Sequence, residues 1–121
     1  MNLKTDLKLD LKLRLLRGDD VAMGPGKADL LAAIAETGSI SAAARSMNMS
    51  YRRAWLLVDV MNKCFSEPLV HSAAGGVQGG GARLTETGIA ALAQFRAIES
   101  AARQAAQAGL SELAALLKPA G

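Results

Sequence analysis

Leucine and charge alternate without a slip across residues 7–15, in the order Leu-Lys-Leu-Asp-Leu-Lys-Leu-Arg-Leu. A two-residue period is that of a half-buried strand, because successive side chains leave an extended chain on opposite faces. The pattern predicts a strand with its leucines toward a core and Lys8, Lys12 and Arg14 toward water, ended by Gly18-Asp19-Asp20. A charged helix or a membrane-surface segment is the alternative, but strict alternation builds no single helical face.

Beyond this stretch the period lengthens. Gly24-Pro25-Gly26 predicts a turn, and residues 27–36 a helix with Leu30, Leu31 and Ile34 on one face and Gly38 closing it. Two further helices are expected over 42–47 and 51–65, around a tight turn. Ser41 and Ser50 are placed to cap them by accepting from the free amides of a first turn. Asn48 tolerates the left-handed backbone that such a turn requires. Ala43, Ala44 and Ala54 are small enough for the two helices to cross closely, and Tyr51, Ala54, Trp55, Val58, Met61 and Phe65 share one stripe. Pro68 blocks continuation.

Leu69-Val70-His71 and Ala82-Arg83-Leu84 flank the glycine-rich residues 75–81, which predicts a hairpin. Thr85 then caps a long alanine-rich helix. Leu92, Phe95, Ile98 and Ala102 mark its apolar stripe, Gly109 interrupts it and Pro119 ends it. The fold class is mainly α with a small β-hairpin wing. Residues 1–84 read as a winged helix-turn-helix and 85–121 as a long C-terminal helix of the same structural unit.

Length and composition sharpen this picture only in places. A chain of 121 residues makes one domain, and much of its 50% hydrophobic content is alanine, which buries little. Aromatics are only 3%, so Trp55, Tyr51, Phe65 and Phe95 each weigh heavily in packing. The net charge of +3 is mild, but its distribution is not even. No Asp or Glu occurs in residues 37–58, which hold Arg45, Arg52 and Arg53, nor in 68–85, which hold His71 and Arg83. Two locally positive windows suit a polyanion, which releases counterions on binding.

The chemistry of catalysis is missing from the pattern. Cys64 and His71 are each the only residue of their kind, too few for a disulfide, a metal cage or a hydrolytic triad. Glu36, Asp59, Glu67 and Glu86 show no pairing suited to acid–base work. The glycine run lacks the Lys-Ser/Thr that completes a phosphate cradle. No enzyme activity and no cofactor are expected. No stretch has the apolar length of a membrane span or the form of a signal peptide, so a soluble cytoplasmic protein is expected.

The candidate site is the first turn after Ser50, where Tyr51, Arg52 and Arg53 fall. In a helix-turn-helix that turn reaches base edges and phosphates of double-stranded DNA. Each arginine could bond a phosphate or read guanine. Tyr51 could pack its ring on the core or offer its hydroxyl to a phosphate. Arg45, on the preceding helix, suits a phosphate contact. Gly79 and Gly80 at the wing tip would let main-chain amides approach the DNA backbone, with Arg83 beside them.

Taken in order, Gly38-Ser39-Ile40-Ser41-Ala42-Ala43-Ala44, Met49-Ser50-Tyr51-Arg52-Arg53-Ala54-Trp55, Met61-Asn62, Gly75-Gly76, Gly79-Gly80-Gly81-Ala82 and Leu84-Thr85-Glu86-Thr87-Gly88 resemble the N-terminal DNA-binding domain of ModE-type transcriptional regulators. LysR-type regulators are the broader relatives. The resemblance implies a dimeric repressor or activator on an inverted-repeat operator, acting on molybdenum-related genes. It implies that the helix after the wing forms the homodimer, with Leu92, Phe95, Ile98 and Ala102 as contacts, although the same stripe could pack on the protein's own core. The chain ends before the family's C-terminal molybdate-binding modules could fit, so direct molybdate binding is not expected. The alternative is a winged-helix module that binds another protein and no specific DNA.

Overall fold

A computed structural model describes residues 7–73 and 81–119. The chain runs β1 (Leu15–Arg17), β2 (Asp20–Met23), α1 (Pro25–Thr37), α2 (Ile40–Ser46), α3 (Tyr51–Cys64), β3 (Val70–Ser72), β4 (Ala82–Leu84) and α4 (Glu86–Ala115). The strands form two antiparallel pairs, β1 with β2 and β3 with β4. This is a winged helix-turn-helix followed by a long C-terminal helix.

The alternating N-terminal segment is extended, as its pattern requires. Leu7, Leu9, Leu11 and Leu13 are half-buried while Lys8, Asp10, Lys12 and Arg14 are exposed. It is not a paired strand, however. Regular pairing starts only at β1, where Arg17 faces Asp20 across Gly18 and Asp19, and Gly18 takes the left-handed φ of 59°. Leu15 and Leu16 are exposed, so the leucine face stops meeting the core at that point.

Gly24-Pro25-Gly26 is a helix start rather than a turn. Pro25 stands at the first helical position, where a missing N–H costs nothing and a fixed φ is already helical. α1 ends at Gly38, whose φ of 72° is left-handed and whose N–H donates to the Ile34 carbonyl at 2.8 Å. The cap of α2 is Ser39, two residues before the serine the sequence suggested. Ser39 Oγ accepts from Ala42 N at 3.1 Å, whereas Ser41 Oγ accepts from Arg45 Nη1 at 2.9 Å. The earlier start puts Ile40 into the helix and into the core. Asn48 takes the expected positive φ, 53°, between α2 and α3.

The core gathers Leu30, Leu31 and Ile34 of α1, Ala43 and Ala44 of α2, Ala54, Val58 and Met61 of α3, and Leu69 and Phe95. The fully buried alanines stand at the helix crossings, where larger side chains would hold the axes apart. The wing pair β3–β4 is tied down at several points. Asn62, near the end of α3, accepts through Oδ1 from Leu69 N at 2.8 Å and Val70 N at 3.2 Å. Ala82 N donates to the Gly38 carbonyl at 2.9 Å, and Thr85 Oγ1 donates to the Pro68 carbonyl at 2.6 Å.

Thr85 also caps α4, accepting from Gly88 N at 3.0 Å. Glycine is required at position 88 because a Cβ there would overlap the Leu69 carbonyl oxygen. Gly109 does not interrupt α4, which runs unbroken for 30 residues to Ala115. One glycine costs a helix about 1 kcal/mol, too little to break a rod of alanines. The first half of α4 is fastened by Phe95 and by Arg96, which donates to Asp29 of α1 at 2.7 Å and to the buried Glu99 at 3.1 Å. After Glu99 no described residue of the helix is buried. Among the described residues, no helix is long and apolar enough to cross a membrane.

Candidate nucleic-acid interface

Ser50 opens α3 with its hydroxyl accepting from Arg53 N at 3.1 Å, a bond that satisfies one of the free amides of the first turn. The buried residues Ala54, Val58 and Met61 then fix the rotation of the helix. Arg52 and Arg53 are turned to solvent, together with Leu56, Asp59 and Lys63. Tyr51 is 56% exposed. Its ring meets Trp55 edge-on, with centroids 6.2 Å apart, and Trp55 packs against the core. Tyr51 is therefore held from behind by another aromatic ring and lies at the surface.

Arg45 lies exposed on α2, its guanidinium held by Ser41. Among the described residues the ion pairs are Lys12–Asp10, Arg96–Asp29 and Arg96–Glu99. None involves Arg45, Arg52, Arg53 or Arg83, so all four cations remain open to an external anion. Lys27 of α1 adds a fifth cation in the neighbourhood. Burial holds its ammonium below the usual lysine range; Cys64 offsets part of that effect and the nearby positive Arg53 adds to it.

Arg83 is exposed on β4 directly across from His71 on β3, also exposed. Both line an open hollow of about 390 Å³ with Gly38, Ala73, Gly81 and Ala82. Gly79 and Gly80 lie outside the described residues. Along α4 the apolar stripe is divided. Phe95 is buried in the protein's own core, Leu92 packs against that core, Ala102 is half-buried and Ile98 is 55% exposed.

Three contributors to this geometry have no structural role assigned from the sequence, where Asn62 and Gly88 enter only through the resemblance. Asn62 fixes the wing to α3, Gly88 lets α4 close on Leu69, and Leu56 occupies the outward stripe of α3. Asn62 acts on residues seven and eight further on and Gly88 on Leu69, contacts for which local periodicity gives no signal. Leu56 could have been found as the apolar residue one turn beyond Arg52, off the buried stripe.

A serine-capped helix that presents unpaired arginines, crossed by a shorter helix and flanked by a two-stranded wing, defines a DNA-binding domain of the winged helix-turn-helix class. The chain belongs to the lysR family of bacterial regulatory helix-turn-helix proteins, whose pattern matches residues 27–89, more than half of it. The match begins in α1 and ends in the first turn of α4. The chain is 43% identical over 93 residues to the molybdenum-pterin-binding protein MopA of Rhodobacter capsulatus, covering 77% of this chain and 35% of MopA. It is 45% identical over 78 residues to the molybdenum transport protein ModE of Azotobacter vinelandii, covering 64% and 29%. With the DNA-binding transcriptional dual regulator ModE of Escherichia coli K12 it shares 37% over 86 residues, covering 71% and 31%. The chain thus spans about a third of the length of these curated relatives, and it is ModE-like over that part.

Proposed function

We propose that this chain is a ModE-like transcriptional regulator that binds operator DNA sequence-specifically as a homodimer, and that it acts without enzymatic chemistry in the bacterial cytoplasm. The observation that carries the reading is the trio Arg45, Arg52 and Arg53, exposed at the α2–α3 turn with none of the described acids paired to them. α3 enters the major groove from its Ser50 end, with Tyr51, Arg52 and Arg53 at bases or phosphates. Arg45 holds the backbone on one side. The wing, with Arg83, holds it on the other, and Gly79 and Gly80, outside the described residues, are proposed to join that contact. Residues 1–84 form the reading unit, and 85–121 extend it toward the partner subunit.

Exposed apolar side chains on α4 and at its C-cap support the dimer. Ile98, Leu113 and the capping Leu116 are 55%, 60% and 82% exposed, apolar surface that a second helix would cover. The names of the relatives support molybdenum-related target genes. Direct molybdate binding forms no part of the proposal.

The test is duplex binding by Arg52→Ala with Arg53→Ala, followed by fluorescence anisotropy at several salt concentrations. The double variant should stay folded, bind far more weakly and lose about one unit of salt slope for each phosphate contact removed. Unchanged affinity in the folded variant would remove α3 as the reading helix. In the parent protein, sedimentation at micromolar concentration should give a dimer; a monomer would count against pairing through α4.

A further inference from the structure

The outward stripe of α3 carries one residue that charge alone leaves unused. With Ala54, Val58 and Met61 buried, and about 100° between successive residues of a helix, the side facing away from the core is Arg52, Leu56 and Lys63. All three are exposed, and Leu56 stands between the two cations at 56% exposure. It belongs neither to the core nor to the apolar residues packed against it. A single exposed leucine is common on protein surfaces. Its place is what separates this one from the others, since it lies one turn in from the capped end of the helix that faces the groove.

Leucine can neither donate nor accept a hydrogen bond, so it reads no polar base edge. In the major groove the base-edge group that rewards an apolar side chain is the C5-methyl of thymine. We infer that Leu56 packs against a thymine methyl in each half-site and so supplies a base preference that the guanidiniums cannot. The inference rests on the DNA-binding reading above and deepens it. Arg52 and Leu56 lie about 6 Å apart along the helix, just over one turn, so the thymine falls within about two base pairs of the nucleotide that Arg52 touches. Asp59, exposed near the same stripe a turn further on, would repel phosphates and limits close groove contact to the first two turns.

The experiment starts from duplexes enriched from a random pool by the full chain. Each thymine of the selected half-site is then replaced in turn by deoxyuridine, which removes the methyl and nothing else. One position should lose about fourfold in affinity, the worth of one buried methyl. Leu56→Ala should bind thymine and uracil equally there while keeping the parent's response at every other position. Leu56→Met should keep the discrimination. Because the residue is exposed, both variants should melt like the parent, which circular dichroism checks. A parent with no methyl-sensitive thymine, or a Leu56→Ala protein with the parent's thymine-to-uracil ratio, overturns the inference and leaves the regulator reading standing. Failure to bind any duplex overturns both.

Discussion

Replacing Asn62 with alanine should loosen the wing while leaving the arginines of the α2–α3 turn in place. The carboxamide accepts from Leu69 N at 2.8 Å and Val70 N at 3.2 Å, and its Nδ2 donates to the Val70 carbonyl at 3.4 Å. Leu69 and Val70 are buried, so water cannot replace the lost acceptor without opening the packing. A buried amide left without a partner costs about 1–3 kcal/mol. The Leu69 bond is the short one and the other two are longer, so the sum should fall near 2–3 kcal/mol. For a domain of this size that lowers Tm by roughly 10 °C. Urea titration should show a lower midpoint at unchanged slope, and in hydrogen exchange the Leu69 and Val70 amides should lose protection before those of α1. Asn62→Asp keeps the double acceptor and should lose less. A loss under about 0.5 kcal/mol for Asn62→Ala would refute the clamp, since that is the range of surface substitutions away from any special feature.

Gly88→Ala should be more damaging than its single carbon suggests, because the new Cβ meets backbone and not a movable side chain; a melt lowered by less than Asn62→Ala would contradict that close approach. Ser39→Ala should cost about 1 kcal/mol by thermal denaturation and Ser41→Ala markedly less, since only Ser39 caps α2. The reverse order would return the cap to Ser41.

Where a residue's role depends on its near neighbours in sequence, it was legible. Ser50 and Thr85 cap as their spacing to the following amides suggests, Asn48 turns the chain, and the wing strands pair as the two short apolar runs around the glycines predict. Local signals that admit two readings are the ones that mislead. Ser39 and Ser41 are both competent caps, and the burial of Ile40 settles the matter in space. Pro25 serves a turn or a helix start equally well. Strict alternation identifies an extended chain but not a neighbouring strand, so residues 7–14 follow the period without the ladder. β2 and the division of the α4 stripe were out of reach, because both are decided by what packs against them. In the site, the arginines could be placed on the right turn from sequence, while Leu56 stood out only once the rotation of α3 was fixed.

α4 has a mechanical consequence. Thirty residues make a rod about 45 Å long, clamped over its first half by Phe95 and the Arg96–Asp29 pair and with no buried residue beyond Glu99. The free arm from Glu99 to Ala115 is about 24 Å long, so one degree of tilt at the clamp carries the far tip about 0.4 Å. Leverage works in both directions. A modest force at the distal end is multiplied at the clamp, so Phe95 and the Arg96–Asp29 pair take the load of anything that holds that end.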